Sequence, residues 1–186
     1  MELTDYEIYE NKRRIKELLS FTKREKVGDL IKFLDRSGYF YFYGSYKHHK
    51  YKGGLAKHSL EVMEYALKHN EGCDRDSIII AALLHDLCKT KYNFPKGVEF
   101  HGHGTKSLAI LKEFIGFPLT EEEELAIRFH MGSGCYIRDE EEAERYAKAR
   151  ESELWSLIHV GDCISAGNHP KITHGLVKNV IKLGKL

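Results

Sequence analysis

The sequence predicts an all-α fold, a single-domain helical bundle of about seven to nine helices. Apolar residues recur at helical spacing along most of the chain, and only three prolines occur in its 186 residues. No internal repeat, low-complexity segment or linker divides the sequence. A chain of this length buries roughly 70% of its unfolded surface, which is enough for one core.

The first half of the chain contains an aromatic loop, GYFYFYGSYKHHKYKGG, whose residues 39–43 are expected to pack in the core. The loop separates two predicted helices from two more. The four stretches with helical periodicity are residues 5–19, residues 23–37, residues from about 54 to 69, and a stretch capped by Asp76 that runs into His85 and Asp86.

The second half opens with a predicted loop that contains Asn93, Pro95 and Gly97. Further on, Thr120 precedes four glutamates, and negative charge in a first turn stabilises a helix start. The predicted helices are one from about 103, one from Thr120 to near His130, an acidic one over about 139–149, the stretch SELWSLIHVGDCISAG, and a basic one over about 172–183.

Composition excludes several classes of protein. The formal net charge of +1 argues against bulk electrostatic attraction to nucleic acid or membrane. The four cysteines form no CxxC pair, so a zinc–thiolate or disulfide framework is not expected. Reduced thiols, a mixed-charge N-terminus and the lack of an apolar run of about 20 residues predict a cytoplasmic protein with no membrane partner.

The stretch AALLHDLCKT places Asp86 at the end of an apolar run over residues 78–84. An ionised carboxylate in such surroundings is costly unless a cation pairs with it. A lysine or arginine from elsewhere, or a partly exposed helix end, is one explanation. A metal ion is the other, and it requires further ligands.

Periodicity supplies those ligands. Besides Asp86, four polar side chains fall on the buried stripes of separate predicted helices: His58, His103, His130 and Asp162. A lone inward histidine is usually a hydrogen-bonded core residue, but one or two divalent cations would satisfy all five groups together. Imidazole and carboxylate without thiolate suit catalytic Mn, Fe, Co, Ni, Zn or Mg.

The ordered motifs resemble the HD-domain superfamily of metal-dependent phosphohydrolases. The matching residues are His58 in GGLAKHSLEV, the adjacent His85 and Asp86 in LLHDLCK, and Asp162 in LIHVGDCISA. The stretch KHHKYKGGLAKHSLEV is most similar to the HD domain of bacterial 3′–5′ exoribonucleases. Cys88 departs from the family motif HDxGK, which has glycine there, whereas Lys89 is retained.

The resemblance implies one or two divalent ions per chain, bridged by Asp86. His58, His85 and Asp162 would complete the first site. His103 and His130 stand where two-metal members carry the ligands of the second. Asp86 and Lys89 are the expected catalytic residues, and Lys89 would also contact substrate phosphate. Alternatively, Lys89 simply ends its helix, where a cation favours the dipole.

The basic loop over residues 46–52 predicts substrate contacts. Its rings and cations alternate, which suits bases stacked on aromatic side chains and phosphates held by basic groups. The candidate substrate-binding residues are Lys47, His48, His49, Lys50 and Tyr51. A solvated surface turn is the alternative, and whether His48, His49 and His101 contact substrate or metal stays open.

The expected function is a phosphohydrolase or phosphodiesterase that acts on a nucleotide or short oligonucleotide through metal-activated water, without a stable duplex nucleic-acid partner. Bound metal lowers the pKa of water from about 15.7 towards about 7. A di-iron HD-type oxygenase and a catalytically silent regulatory module are the alternatives. The expected domain is 1–186, with N-terminal helices and aromatic loop over 1–45, the metal-site core over 46–168 and a C-terminal helix over 169–186.

Overall fold

Eight α-helices build the part of the chain that the computed structural model describes, residues 2–91 and 102–168. They are α1 (Asp5–Phe21), α2 (Val27–Arg36), α3 (Gly54–Lys68), α4 (Arg75–Leu84), α5 (His103–Ala109), α6 (Glu121–Phe129), α7 (Glu140–Glu151) and α8 (Glu153–Ser165). A wide π-type turn, Ile110–Ile115, extends α5. The described residues contain no strand, so the predicted all-α bundle is confirmed.

Local sequence explains where the helices begin. Thr120 caps α6 in a reciprocal box with Glu123, as the run of glutamates predicted. The predicted cap of α4 was wrong: Asp74, not Asp76, accepts the Ser77 backbone N–H at 2.9 Å. Because α4 begins at Arg75, Asp76 already lies in its first turn.

Helix α4 is the centre of the bundle. Its residues from Ile78 to Leu84 are all fully buried, and α3, α6 and α8 pack around it. Helix α3 also packs against α8, so the C-terminal end of α4 lies between other helices. His85 and Asp86 directly follow α4, and both are therefore buried.

The aromatic loop divides between core and surface. Tyr39 and Phe40 are buried, and the Tyr39 hydroxyl donates a hydrogen bond to the Leu83 carbonyl at 2.6 Å. Tyr41 and Tyr43 are exposed, which corrects the expectation that all of residues 39–43 pack in the core. These residues form turns, in which the backbone N–H groups of Tyr41 and Phe42 both donate to the Gly38 carbonyl, so only some of the rings reach the interior.

Some predicted features lie outside the described residues. They are the loop around Asn93, Pro95 and Gly97, the histidine His101, and the basic helix over about 172–183. The division of residues 1–186 into N-terminal helices, metal-site core and C-terminal helix stays a prediction. Within residues 2–91 and 102–168, no helix has the length and apolar character that crossing a bilayer requires.

Candidate metal centre

Four side chains from three regions of the bundle converge at the end of α4. His58 Nε2 lies 3.0 Å from Asp162 Oδ1, 3.3 Å from His85 Nε2 and 3.6 Å from Asp86 Oδ2. Ligand atoms on a single ion lie about 3.0–3.6 Å apart, given bond lengths of about 2.0–2.3 Å. The spacing of these donors therefore fits one divalent cation.

Backbone carbonyls orient two of the imidazole rings. His85 Nδ1 lies 2.8 Å from the Ala82 carbonyl, and His130 Nδ1 lies 2.8 Å from the Ile127 carbonyl. In the neutral form of each ring Nδ1–H donates to the backbone, so the lone pair of Nε2 points towards the cluster. This arrangement is typical of metal-ligating histidines, whose second nitrogen is held by the protein.

His130 provides a direct test of whether a cation fits. Its Nε2 is fully buried, forms no hydrogen bond, and lies 3.7 Å from Asp86 Oδ1. Buried polar atoms are almost always partnered, and an unpartnered one costs about 1–3 kcal/mol. A metal ion between His130 and Asp86 would remove that cost, so the donors present fit such a group.

The charge states of these groups match a cation site. Although burial opposes ionisation, the charge of His85 holds the pKa of Asp86 well below its ordinary value. Burial also opposes ionisation of Asp162, but the hydrogen bond with His58 and the charges of His85 and His130 together lower its pKa to about 2. Burial lowers the pKa of His130 to about 4. Burial opposes the charge of His85, but the neighbouring Asp86 carboxylate raises the pKa of this imidazole, so a metal ion would displace its proton. Two carboxylates and neutral imidazole form a donor set for hard and borderline divalent metals.

Lys89 lies directly at this cluster. It belongs to a short 3₁₀ turn, Leu87–Lys89, and its ammonium group donates a hydrogen bond to Asp86 Oδ2. The side chain retains partial access to solvent. Lys89 therefore lies at the partly exposed edge of the cluster, and it does not terminate α4, which ends at Leu84.

His103 belongs to a separate group of candidate ligands that also includes Asp86. It is the exposed first residue of α5, and its Nδ1 lies 3.5 Å from Cys88 Sγ. Asp86, Cys88 and His103 each offer one ligand atom within 4.8 Å of the others. His85, His130 and Asp162 form another such group, so the described residues contain donors for more than one ion around Asp86.

The basic loop lies partly over the cluster and partly away from it. The His48 ring packs at a tilt against His58 with ring centroids 5.0 Å apart, and the His49 centroid lies 5.3 Å from the same ring. Lys47 and Lys50 are exposed. The exposed ring of Tyr46 packs near the Lys50 ammonium, and Tyr51 packs against His49. The loop thus brings His48 and His49 to the site, whereas its lysines remain in solvent.

Sequence reasoning missed Glu61 and Ser165, which support His58. Ser165 Oγ lies 2.9 Å from His58 Nδ1 and donates a hydrogen bond to Glu61 Oε2 at 2.7 Å. Glu61 Oε2 also lies 2.9 Å from His49 Nε2. Burial would raise the pKa of Glu61, but the hydrogen bonds with His49 and Ser165 lower it to about 2. The only sequence signal was spacing, because each lies three residues after a predicted ligand.

The chain folds as an all-helical bundle, and a buried cluster of histidine and aspartate lies at its centre. These two features place it in the class of helical bundles with a candidate metal centre. The chain belongs to the HD domain family, whose match covers residues 55–154. This range contains His58, His85, Asp86, His103 and His130, whereas Asp162 lies beyond it.

One curated relative is dihydroneopterin 2′,3′-cyclic phosphate phosphodiesterase from Methanocaldococcus jannaschii. It is 42% identical over 55 aligned positions, which cover 25% of this chain and 22% of the relative. The match therefore spans about a fifth of the relative's length. No solved structure matches the chain.

Proposed function

We propose that the protein is a metal-dependent phosphohydrolase or phosphodiesterase that acts on a nucleotide or short oligonucleotide. One observation carries the proposal: His58, His85, Asp86 and Asp162 converge with cation-like spacing while a buried nitrogen of His130 is left without a partner. Family membership supports it, and so does the name of the relative, which is a phosphodiesterase.

The proposed ligands divide between two ions. His58, His85, Asp86 and Asp162 would hold the first, and His103 and His130 would hold the second together with Asp86. Bound divalent metal supplies an activated water near neutral pH and a positive field for the phosphoryl oxygens. We assign Asp86 and Lys89 the catalytic roles because both lie where the two groups of ligands meet.

The chain's own residues would bind and orient the phosphate. Lys89 carries the charge that meets a phosphate oxygen, and its partial exposure leaves that charge accessible from solvent. His48 and His49 cover the first group of ligands, and they would face the substrate from the other side. The apolar residues of α4 exclude bulk water from behind the cluster.

The nucleotide part of the proposal rests on residues 46–52. Lys47 and Lys50 are exposed, and Tyr46 presents most of its ring to solvent. Base–aromatic stacking is worth roughly 1–3 kcal/mol per base, so one stacked base would raise kcat/KM at least about tenfold. The similarity of KHHKYKGGLAKHSLEV to exoribonuclease HD domains favours an oligonucleotide, whereas the relative's name favours a cyclic phosphate of a smaller molecule.

The test is a substrate panel with Mn²⁺-loaded protein. It compares p-nitrophenyl phosphate and its bis ester with nucleoside monophosphates, 2′,3′-cyclic nucleotides and short single-stranded oligonucleotides. We expect at least about tenfold preference in kcat/KM for a nucleotide or oligonucleotide. Absence of hydrolysis of every ester by the metal-loaded protein would contradict the hydrolase proposal, and bound iron with oxygen consumption would favour the oxygenase.

A double substitution separates the loop from the metal centre. Lys47→Ala with Lys50→Ala should reduce the nucleotide preference and its salt dependence while the metal content stays unchanged. The control is Lys32→Ala with Lys68→Ala, which removes two exposed lysines from α2 and α3. If both double variants match the wild type, the loop does not bind substrate and only a general phosphohydrolase is left.

A further inference from the structure

The second group of candidate ligands contains a residue that the expected ligand set does not include. Cys88 occupies the position that is glycine in the HDxGK motif, and its sulfur lies beside His103 and close to Asp86. We propose that Cys88 is a thiolate ligand of the second ion, together with Asp86 and His103. This inference rests on the metal centre of the proposed function and deepens it.

The geometry matches coordination to one ion. With bonds of about 2.3 Å to sulfur and about 2.0 Å to nitrogen, tetrahedral ligands lie roughly 3.5 Å apart. The Cys88 Sγ–His103 Nδ1 distance is 3.5 Å. A carboxylate oxygen of Asp86 completes the group, in which all three donors lie within 4.8 Å of one another.

The backbone holds Cys88 in this position. Its N–H donates to Ser107 Oγ at 3.1 Å, and the same hydroxyl donates to the His85 carbonyl at 2.7 Å. Ser107 is buried on α5, the helix that begins at His103. One hydroxyl therefore fixes the turn after α4 against α5, so the sulfur and the imidazole are presented together.

A second observation points to an ion bound by the same carboxylate. His130 Nε2 is buried without a partner, and it lies 3.7 Å from Asp86 Oδ1, the oxygen not used by Lys89. A cation at Asp86 Oδ1 would account for the unpartnered nitrogen, and Cys88 and His103 pair beside the same aspartate. The thiol would release its proton to water as the ion binds.

A thiolate ligand changes the metal preference of the second position. Sulfur is soft and favours zinc, iron or cobalt, whereas magnesium and manganese prefer oxygen ligands. With Cys88 the second position should therefore take a softer ion than a glycine-containing HD motif would. The first position contains imidazole and carboxylate alone, so the two positions should differ in preference.

The test is a Co²⁺ titration of the metal-stripped full chain, followed by absorption spectroscopy. We expect a sulfur-to-cobalt charge-transfer band in the near ultraviolet as cobalt fills the second position. Cys88→Ser should remove this band, retain cobalt at the first position, and weaken binding at the second by at least about tenfold. The matched control is Cys73→Ser, because Cys73 precedes α4 at the end opposite to the cluster; it should keep the band.

X-ray absorption spectroscopy of the cobalt-loaded wild type detects a sulfur neighbour without any substitution, so a folding defect in Cys88→Ser does not leave the proposal untested. Cobalt bound without a sulfur neighbour would overturn the role of Cys88, while the metal centre and the hydrolase proposal would stand. No cobalt uptake by the wild type would overturn the metal centre as well.

Discussion

A single hydroxyl group determines how His58 faces the centre. Ser165 donates its proton to Glu61, so it accepts the hydrogen bond from His58 Nδ1–H. His58 Nε2 is then left as the lone-pair nitrogen that points at His85 and Asp162. Such outer partners fix both the tautomer and the ring angle of a metal ligand.

Ser165→Ala should weaken metal affinity by about 10- to 100-fold, because the ring of His58 loses its orienting partner. Ser165→Thr retains a hydroxyl at the same position and should bind metal nearly as well as the wild type. Competition with a chelating indicator measures both affinities. Equal affinity of the alanine variant and the wild type would show that Ser165 does not position His58.

Periodicity predicted the inward side chains but not their supporting contacts. His58, His103, His130 and Asp162 were assigned to buried helix faces. The structure buries His58 and His130 and half-buries Asp162, but His103 is exposed, so its assignment was wrong. It is the first residue of α5, where the helix end lies open to solvent. Glu61 and Ser165 were missed since a charged or hydroxyl side chain on a helix usually faces solvent. Glu61 and Ser165 lie 104 residues apart along the chain, and no local pattern links them.

At the scale of helices, the second group of ligands depends on a close contact between α5 and α6. A Cβ atom at Gly104 would lie 2.2 Å from the Arg128 carbonyl oxygen and 2.6 Å from that of Ile127. Only glycine allows this approach. It brings His103, the preceding residue, towards the end of α6 where His130 lies.

Gly104→Ala should therefore destabilise the protein and reduce uptake of the second ion, because α5 must move away from α6. Gly28→Ala is the control: Gly28 lies in α2 with open space around it, and alanine should stabilise the helix by about 0.5–1 kcal/mol. Urea denaturation and metal stoichiometry measure both effects. A Gly104→Ala variant with wild-type stability and stoichiometry would contradict this role.

The sequence predicted which stretches of the chain form helices. It predicted the ends of the helices and the contacts between them less well. The residues that start α6 were predicted, since the Thr120 cap depends on neighbours along the chain. The start of α4 was misplaced by the choice between Asp74 and Asp76. The approach of α5 to α6 depends on residues from distant parts of the chain, which periodicity does not relate.

At the scale of the whole molecule, the metal ligands join helices that are distant in sequence. His58 lies on α3, His85 and Asp86 follow α4, and Asp162 lies on α8. An ion that binds all of them binds the folded chain and not the unfolded one. Its presence at 100 times its dissociation constant should stabilise the fold by about 2.7 kcal/mol.

Equilibrium dialysis of metal-stripped protein against Mn²⁺, with metal content and thermal unfolding measured on the same samples, tests the central claim most directly. We expect the wild type to bind at least one ion per chain and to gain thermal stability. His85→Ala and Asp162→Ala should each lose the first ion and that gain. A wild type that takes up no Mn²⁺, Co²⁺, Ni²⁺ or Fe²⁺, or variants that bind and respond as it does, would contradict the assignment of this cluster as a metal centre.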